Sequence, residues 1–242
     1  MKYFIISDIH SNLEALNPVL KDMEAEKPDI KICLGDIVGY GPDPDECTQL
    51  IFSNFDIIVA GNHDQAVTGQ YSTESFNPLA RTAVLWTQAK MKDENIARLK
   101  SLELKIIKND ITCVHSTPTH PEEFGYILNS YEAQKHFPDL TTSVCFIGHS
   151  HIPIVYIQHK DGAVNESAKT SIKFKKDEKY IINVGSVGQS RDRIPQASYG
   201  IYNSESNTFK IKRRSYDIDS VQEKMREAGL PPYLINRLSR GV

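Results

Sequence analysis

Ile57-Ile58-Val59-Ala60-Gly61-Asn62-His63-Asp64 is an apolar run that ends by releasing an amide, an imidazole and a carboxylate in succession. A short apolar stretch closed by glycine reads as a buried strand. Four other runs end in the same manner. Tyr3-Phe4-Ile5-Ile6-Ser7 delivers Asp8 and His10, and Lys31-Ile32-Cys33-Leu34-Gly35 delivers Asp36. Ile111-Thr112-Cys113-Val114 delivers His115, and Val144-Cys145-Phe146-Ile147-Gly148 delivers His149 and His151. A lone Asp or His after a strand is commonly a cap or turn residue. Five such ends make a site. Burying that many polar groups without partners would cost about 1–3 kcal/mol apiece, and divalent metals remove the cost.

The donors are carboxylates, imidazoles and an amide, with no thiolate. That mixture suits two divalent ions at a water-bearing centre, with manganese first and iron, zinc, nickel or cobalt as alternatives. One carboxylate shared by ions about 3.5–4 Å apart makes a hydrolytic pair, with a hydroxide between them as nucleophile.

From the N-terminus the order is β-α-β-α-β: strands at 2–7, 30–34 and 55–60, helices at 12–26 and 45–53. It implies a parallel sheet with right-handed crossovers. Leu13, Leu16, Leu20 and Met23 form the stripe of the first helix, with Ser11 as its N-cap. Residues 65–102 carry helical periodicity, an excursion that roofs the site, flanks it or leaves a homo-oligomer interface open. A hairpin at 104–114, a short helix near 131–136 and strands at 144–147 and 152–158 follow. Further strands at 172–174, 180–184, 199–203 and 209–213 lead to a helical tail at 218–228 and 232–238. The expected architecture is α/β: two mixed sheets face to face with helices outside, in one domain spanning 1–242.

The 242 residues are 40% hydrophobic and 24% charged, the profile of a soluble globular chain. A net charge of −3 gives no support for general nucleic-acid binding. The basic clusters at 173–179 and 210–214 read as solvated sheet edges. No apolar stretch is long enough to cross a membrane. The N-terminal run is broken too early by Ser7-Asp8 to be a signal peptide. Cys33, Cys47, Cys113 and Cys145 show no C-x-x-C spacing and act as small hydrophobes. The expected location is cytoplasmic.

Asp8-x-His10, Gly35-Asp36, Gly61-Asn62-His63-Asp64, His115 and Gly148-His149-Ser150-His151 resemble, in order and spacing, the five signatures of the calcineurin-like metallophosphoesterases. The likeness covers about residues 5–151. Asn183-Val184-Gly185-Ser186-Val187-Gly188 resembles a further glycine-rich segment of the small bacterial and archaeal members. The resemblance implies a four-layer αββα sandwich. It also implies one metal on Asp8, His10, Asp36 and His151, and a second on Asp36, Asn62, His115 and His149. His63 then matches the family's non-ligand histidine, which protonates the leaving group or stabilises the transition state, and Asp64 orients it through a hydrogen bond.

Departures narrow the subgroup. Protein phosphatases of the family carry an arginine in a GDxxDRG pattern and Glu where this chain has Asp64. Here Asp36 is followed by Ile37-Val38-Gly39-Tyr40-Gly41-Pro42, with no arginine. The symmetrical diadenosine tetraphosphatases resemble the phosphatase pattern too. Ser116 and Ser150 stand where Gly and Thr are frequent.

The expected reaction is hydrolysis of a small phosphodiester or nucleotide pyrophosphate, such as a diadenosine polyphosphate. The alternatives are a protein Ser/Thr phosphatase or phosphomonoesterase, and, in another class, a non-catalytic metal-binding scaffold. A scaffold would have lost ligands or the histidine, and all the expected positions are filled. For substrate, Tyr40 reads as a base-stacking or pocket-lining ring, or simply a packed turn residue. Arg191 and Arg193 restore the phosphate-binding charge, or form a surface pair with Asp192.

Overall fold

Tyr3-Phe4-Ile5-Ile6 is apolar on both faces of its strand, and both faces are covered. The computed structural model describes residues 1–242. The chain runs β1 (Lys2–Ile6), α1 (Leu13–Glu26), β2 (Ile30–Cys33), α2 (Pro44–Asn54) and β3 (Ile57–Ile58). Next come α3 (Asn62–Val67), α4 (Pro78–Lys90), α5 (Asp93–Lys100), β4 (Lys105–Lys108), β5 (Ile111–Val114) and α6 (Ser130–Gln134). Strands follow as β6 (Val144–Ile147), β7 (Ile154–Gln158), β8 (Val164–Ser167), β9 (Ser171–Lys173), β10 (Lys179–Asn183), β11 (Ala197–Asn203) and β12 (Thr208–Arg214). Two helices close the chain, α7 (Ile218–Glu227) and α8 (Pro232–Arg237).

The strands form two six-stranded sheets, ordered β3-β2-β1-β11-β12-β9 and β4-β5-β6-β10-β7-β8. β1, β2 and β3 are parallel in the first, as β5, β6 and β10 are in the second. Tyr3, Ile5 and Ile32 meet Phe146, Tyr180 and Ile182 between the sheets. Alternation sends Phe4 and Ile6 outward onto α1 and α2, and Cys145, Ile147 and Ile181 outward beside α6. Each large side chain so buried contributes about 1.5–3 kcal/mol. The result is the expected mixed α/β fold: helices, sheet, sheet, helices.

Three local readings change. Asn12, not Ser11, caps α1, its Oδ1 accepting from the Ala15 N–H at 3.0 Å. Ser11 sits in the left-handed region (φ 53°), with its N–H on the Ile37 carbonyl. β3 pairs over two residues only, because Val59 turns to bridge Glu103 and the Ala60 N–H bonds the Glu103 carbonyl. β8 went unread because Val-Asn-Glu-Ser has one apolar residue, as suits an edge strand. No helix is long and apolar enough to cross a membrane.

Candidate metal centre and cleft

The C-terminal ends of the parallel strands of both sheets open toward one another, the position at which α/β folds place their ligands. The loops there are laced together. Val187 N–H bonds the Ser7 carbonyl, Gly188 N–H the Asp8 carbonyl, and His115 Nδ1 the Leu34 carbonyl at 2.8 Å. Ser186 Oγ also donates to the Asp8 carbonyl, and Asn183 Nδ2 donates to the Gly148 carbonyl and to Ser150 Oγ. The glycine-rich segment therefore ties the Asp8 loop to the His149 loop.

Metal-type atoms of Asp8, His10, Asp36 and His151 all lie within 4.8 Å of one another, as do those of Asp36, His115 and His149. Asp36 belongs to both groups. Its Oδ2 is 3.5 Å from His10 Nε2 and 3.4 Å from His115 Nε2, while Asp8 Oδ1 is 3.2 Å from His151 Nε2. All six of these side chains are buried.

The outer hydrogen bonds dictate which ring nitrogens face inward as lone pairs. A backbone carbonyl only accepts, so the nitrogen facing it carries the proton. His10 Nδ1 faces the Val38 carbonyl at 3.1 Å and His151 Nδ1 the Gln189 carbonyl at 2.5 Å. Their Nε2 atoms are then bare, and they face each other at 3.1 Å. His115 Nδ1 and His149 Nε2 are likewise held by Leu34 and Phe124 carbonyls, which turns His115 Nε2 toward His149 Nδ1 at 3.2 Å. Two lone pairs at that distance repel unless a cation or a proton lies between them. The separation suits adjacent donors on one ion whose bonds are ~2.0–2.1 Å.

The charges agree. Burial disfavours ionised Asp8 and Asp36, but His151 beside the first and His115 beside the second hold both carboxyls well below the usual range. Burial pulls His10 and His151 down and takes His149 to about 3. At His115 burial is outweighed by Asp36, Asp8 and the Leu34 carbonyl, leaving that imidazole at about 9. A divalent ion would take the place of this proton.

Asp8, His10, Asp36, His149 and His151 all have φ between 49° and 68°. This left-handed conformation costs roughly 1–2 kcal/mol per residue for non-glycine side chains. Asn62 lines the cleft with Asp36 and His149, and its Oδ1 is buried without a protein partner, an orphan acceptor of the kind an ion would satisfy.

His63 stands apart from the two groups. Its backbone N–H donates to Asp36 Oδ1 at 2.9 Å, its ring lies edge-on to Phe76 and His10, and ring Nδ1 has no partner. Burial takes its basicity down to about 4, Asp36 opposing and Arg191 assisting. Gly39, at φ 89°, makes room for it, since a Cβ there would strike the imidazole.

The expected bond from Asp64 to His63 does not form. Asp64 Oδ1 accepts from the Ile37 and Val38 N–H groups at 2.9 and 3.2 Å, and Oδ2 from Gly61 N–H at 3.0 Å. Burial and then Asp36 push its carboxyl up to about 7, against the Gly61 and Val38 bonds. Asp64 is thus a clamp between the loops after β2 and β3, not a partner of the imidazole.

Comparison with known proteins settles the family. The model of the calcineurin-like phosphoesterase superfamily domain matches residues 1–207. The chain belongs to that superfamily. A metallophosphoesterase from Sphaerobacter thermophilus is 41% identical, with a TM-score of 0.87 over 100% of this chain and 99% of its own. The uncharacterized protein MJ0912 of Methanocaldococcus jannaschii is 42% identical over 98% of this chain and 97% of its own length. The hypothetical protein PH1004 of Pyrococcus horikoshii, at 16% identity, shares the fold (TM-score 0.82, covering 100% of this chain and 98% of that one).

Above the floor, this calcineurin-like chain has a cleft of about 270 Å³. Asp36, Asn62, His63, His149 and His151 reach it from below, and Arg191 lines it too. The Arg191 guanidinium bonds the neutral Gln189 Oε1 at 3.0 Å, meets the Tyr126 hydroxyl and has no acidic partner. Arg193 is displaced from the site: it is exposed, has φ 66°, and its N–H bonds the Gly241 carbonyl. Asp192 pairs with Arg213 rather than with either neighbour.

Tyr40 lines the cleft, but it offers no free face for a base. It is 7% exposed, with its ring on His10 and His63 and its body packed among Val221, Met225, Leu234 and Leu238. The excursion does border the cleft, through Tyr71, Phe76 and Asn77 between α3 and α4. Tyr126 and Phe76 carry no sequence signal, since neither lies on a periodic stripe or in a motif. His120, His136 and His159 lie outside the metal-type groups and the cleft.

Proposed function

We propose that the chain is a dinuclear metal-dependent phosphodiesterase or nucleotide pyrophosphohydrolase acting on small substrates. The observation that carries this is the inward-facing pairs of imidazole nitrogens around a carboxylate common to both groups. Asp8, His10, Asp36 and His151 would hold one ion, and Asp36, Asn62, His115 and His149 the other. Bound there, the ions, with manganese first, supply Lewis acidity toward a phosphoryl group and a water acidified to a nucleophile at neutral pH.

The chain's own residues do the rest. Arg191, free of any acid, takes a phosphate oxygen. His63 is neutral in the free cleft and offers its N–H to the leaving oxygen, and an anionic phosphate arriving beside it favours its protonated form. The Asp36 carboxylate holds the His63 backbone N–H, and Gly39 leaves room for the imidazole. The cleft volume and the net charge of −3 favour a small substrate over a polymer. Four unpaired thiols suit a reducing compartment, and we assign the chain to the cytoplasm.

The test is hydrolysis by protein loaded with Mn²⁺ of a phosphomonoester, a phosphodiester, diadenosine tetraphosphate and a phosphopeptide, each repeated with His63→Ala. Preference for the diester or dinucleotide is expected, with turnover falling ~10²–10⁴-fold in the variant at unchanged metal content. Preference for the monoester or phosphopeptide would move the assignment to a phosphatase. No turnover at all, with both ions bound, would leave a scaffold.

A further inference from the structure

The chemistry at the floor leaves several rings without a role. Phe76 stands edge-on to His63, with centroids 5.0 Å apart. Tyr71 stands edge-on to Phe124 at 4.9 Å and to Phe76 at 6.3 Å, which makes a rigid aromatic corner on the side of the excursion. On the loop after β5, Tyr126 stacks on His149 at 4.0 Å and 21°, yet it is 50% exposed. One face of that ring is covered by the imidazole, so the exposure belongs to the rest of it. Stacking on His149 places this phenol beside the phosphate-level donors. Phe76 reaches the same level through His63.

The polar group at the end of this wall is equally specific. Asn77 Oδ1 is consumed as the N-cap of α4, accepting from Leu79 and Ala80 N–H at 3.1 and 3.0 Å. Its NH₂ has no protein partner, and the residue lines the cleft while exposed, so the amide is open to a ligand as to solvent. Flat apolar rings with a pair of amide hydrogens fit a planar group whose edge carries hydrogen-bond acceptors. A plain aryl ring would leave those hydrogens unused, and an aliphatic or peptide chain would not use the rings.

We infer that the group carried on the phosphate is a nucleobase, packed by Tyr71, Phe76 and Tyr126 and read at its edge by the Asn77 amide. This rests on the proposed phosphoester hydrolysis and narrows its substrate to nucleotides. The phosphate lies at the floor with Arg191, and the base lies toward the excursion. Residues 71–77 are then a specificity element.

Binding to the Mn²⁺-loaded protein is measured calorimetrically for AMP, ribose 5-phosphate and phenyl phosphate. AMP is expected to bind at least about tenfold tighter than either, the scale of one base stacked on aromatic side chains. Phe76→Ala should cost AMP about tenfold while leaving ribose 5-phosphate unchanged. Asn77→Asp keeps the cap and removes the NH₂, so it should weaken AMP without lowering the melting temperature. Equal binding of AMP and ribose 5-phosphate overturns the inference, as does phenyl phosphate matching AMP. Turnover of bis(p-nitrophenyl) phosphate is read on the same samples. Hydrolysis without base discrimination overturns the subsite alone. Base discrimination without hydrolysis supports the subsite and overturns the reaction.

Discussion

At the floor of the cleft each candidate imidazole ligand is anchored twice, by its strand end and by a backbone carbonyl on its outer nitrogen. The walls are built otherwise. Tyr71, Phe76 and Asn77 lie in the stretch between two helices, and Arg191 is steadied by the neutral Gln189 amide oxygen and the Tyr126 hydroxyl. The floor is buried and self-bonded; the walls are half exposed and keep unspent donors. A centre that must hold ions in fixed geometry needs the first kind of construction. A surface that meets a substrate needs the second, since groups already satisfied have nothing left to offer.

The sharpest way to break this contrast is Asp36→Asn. If one carboxylate serves both groups, both ions should leave together and activity should fall by at least ~10⁴-fold, with metal per chain measured by plasma emission. Two ions retained at full occupancy would show that the floor is not shared.

Asp64→Ala tests whether the floor owes its rigidity to the clamp. It strands three buried N–H groups, of Gly61, Ile37 and Val38. At about 1 kcal/mol or more each, the expected loss is roughly 3 kcal/mol, seen as a fall of ~6–12 °C in melting temperature. Unchanged melting with lost turnover would return Asp64 to the role of a partner for His63.

The smallest effect is expected at the wall. Arg191→Gln should raise KM about tenfold, the worth of a hydrogen bond to a charged group, with metal content and melting unchanged. A loss of metal instead would make Arg191 part of the floor.

The two regions also differ in how far they could be read in advance. Apolar runs ending in Asp, Asn and His announced the floor because strand ends are local in sequence. The clamp role of Asp64 was not legible, since its partners are backbone groups of a loop 26 and 27 positions away. Nor were the carbonyls of Leu34, Val38, Phe124 and Gln189, which carry no side-chain signature. Arg191 and Arg193 are equivalent as sequence, and it is the fold that puts Arg191 in the cleft and leaves Arg193 exposed in a left-handed turn. Tyr126 sits two residues after Phe124, in a loop between β5 and α6 that no motif marks. Walls of this kind are defined by tertiary approach, which no period records.

Five of the residues assigned to the ions sit in left-handed backbone. At roughly 1–2 kcal/mol each, their combined cost is on the scale of the net stability of a whole domain. On the proposed reading, the ions help to hold this conformation as well as to do chemistry. Metal supply then governs how long a copy of the protein survives. In a cell starved of the ion, copies should be degraded sooner, so the amount of protein would fall alongside its activity. A pulse-chase under chelation, compared with Asp36→Asn, would read that lifetime directly.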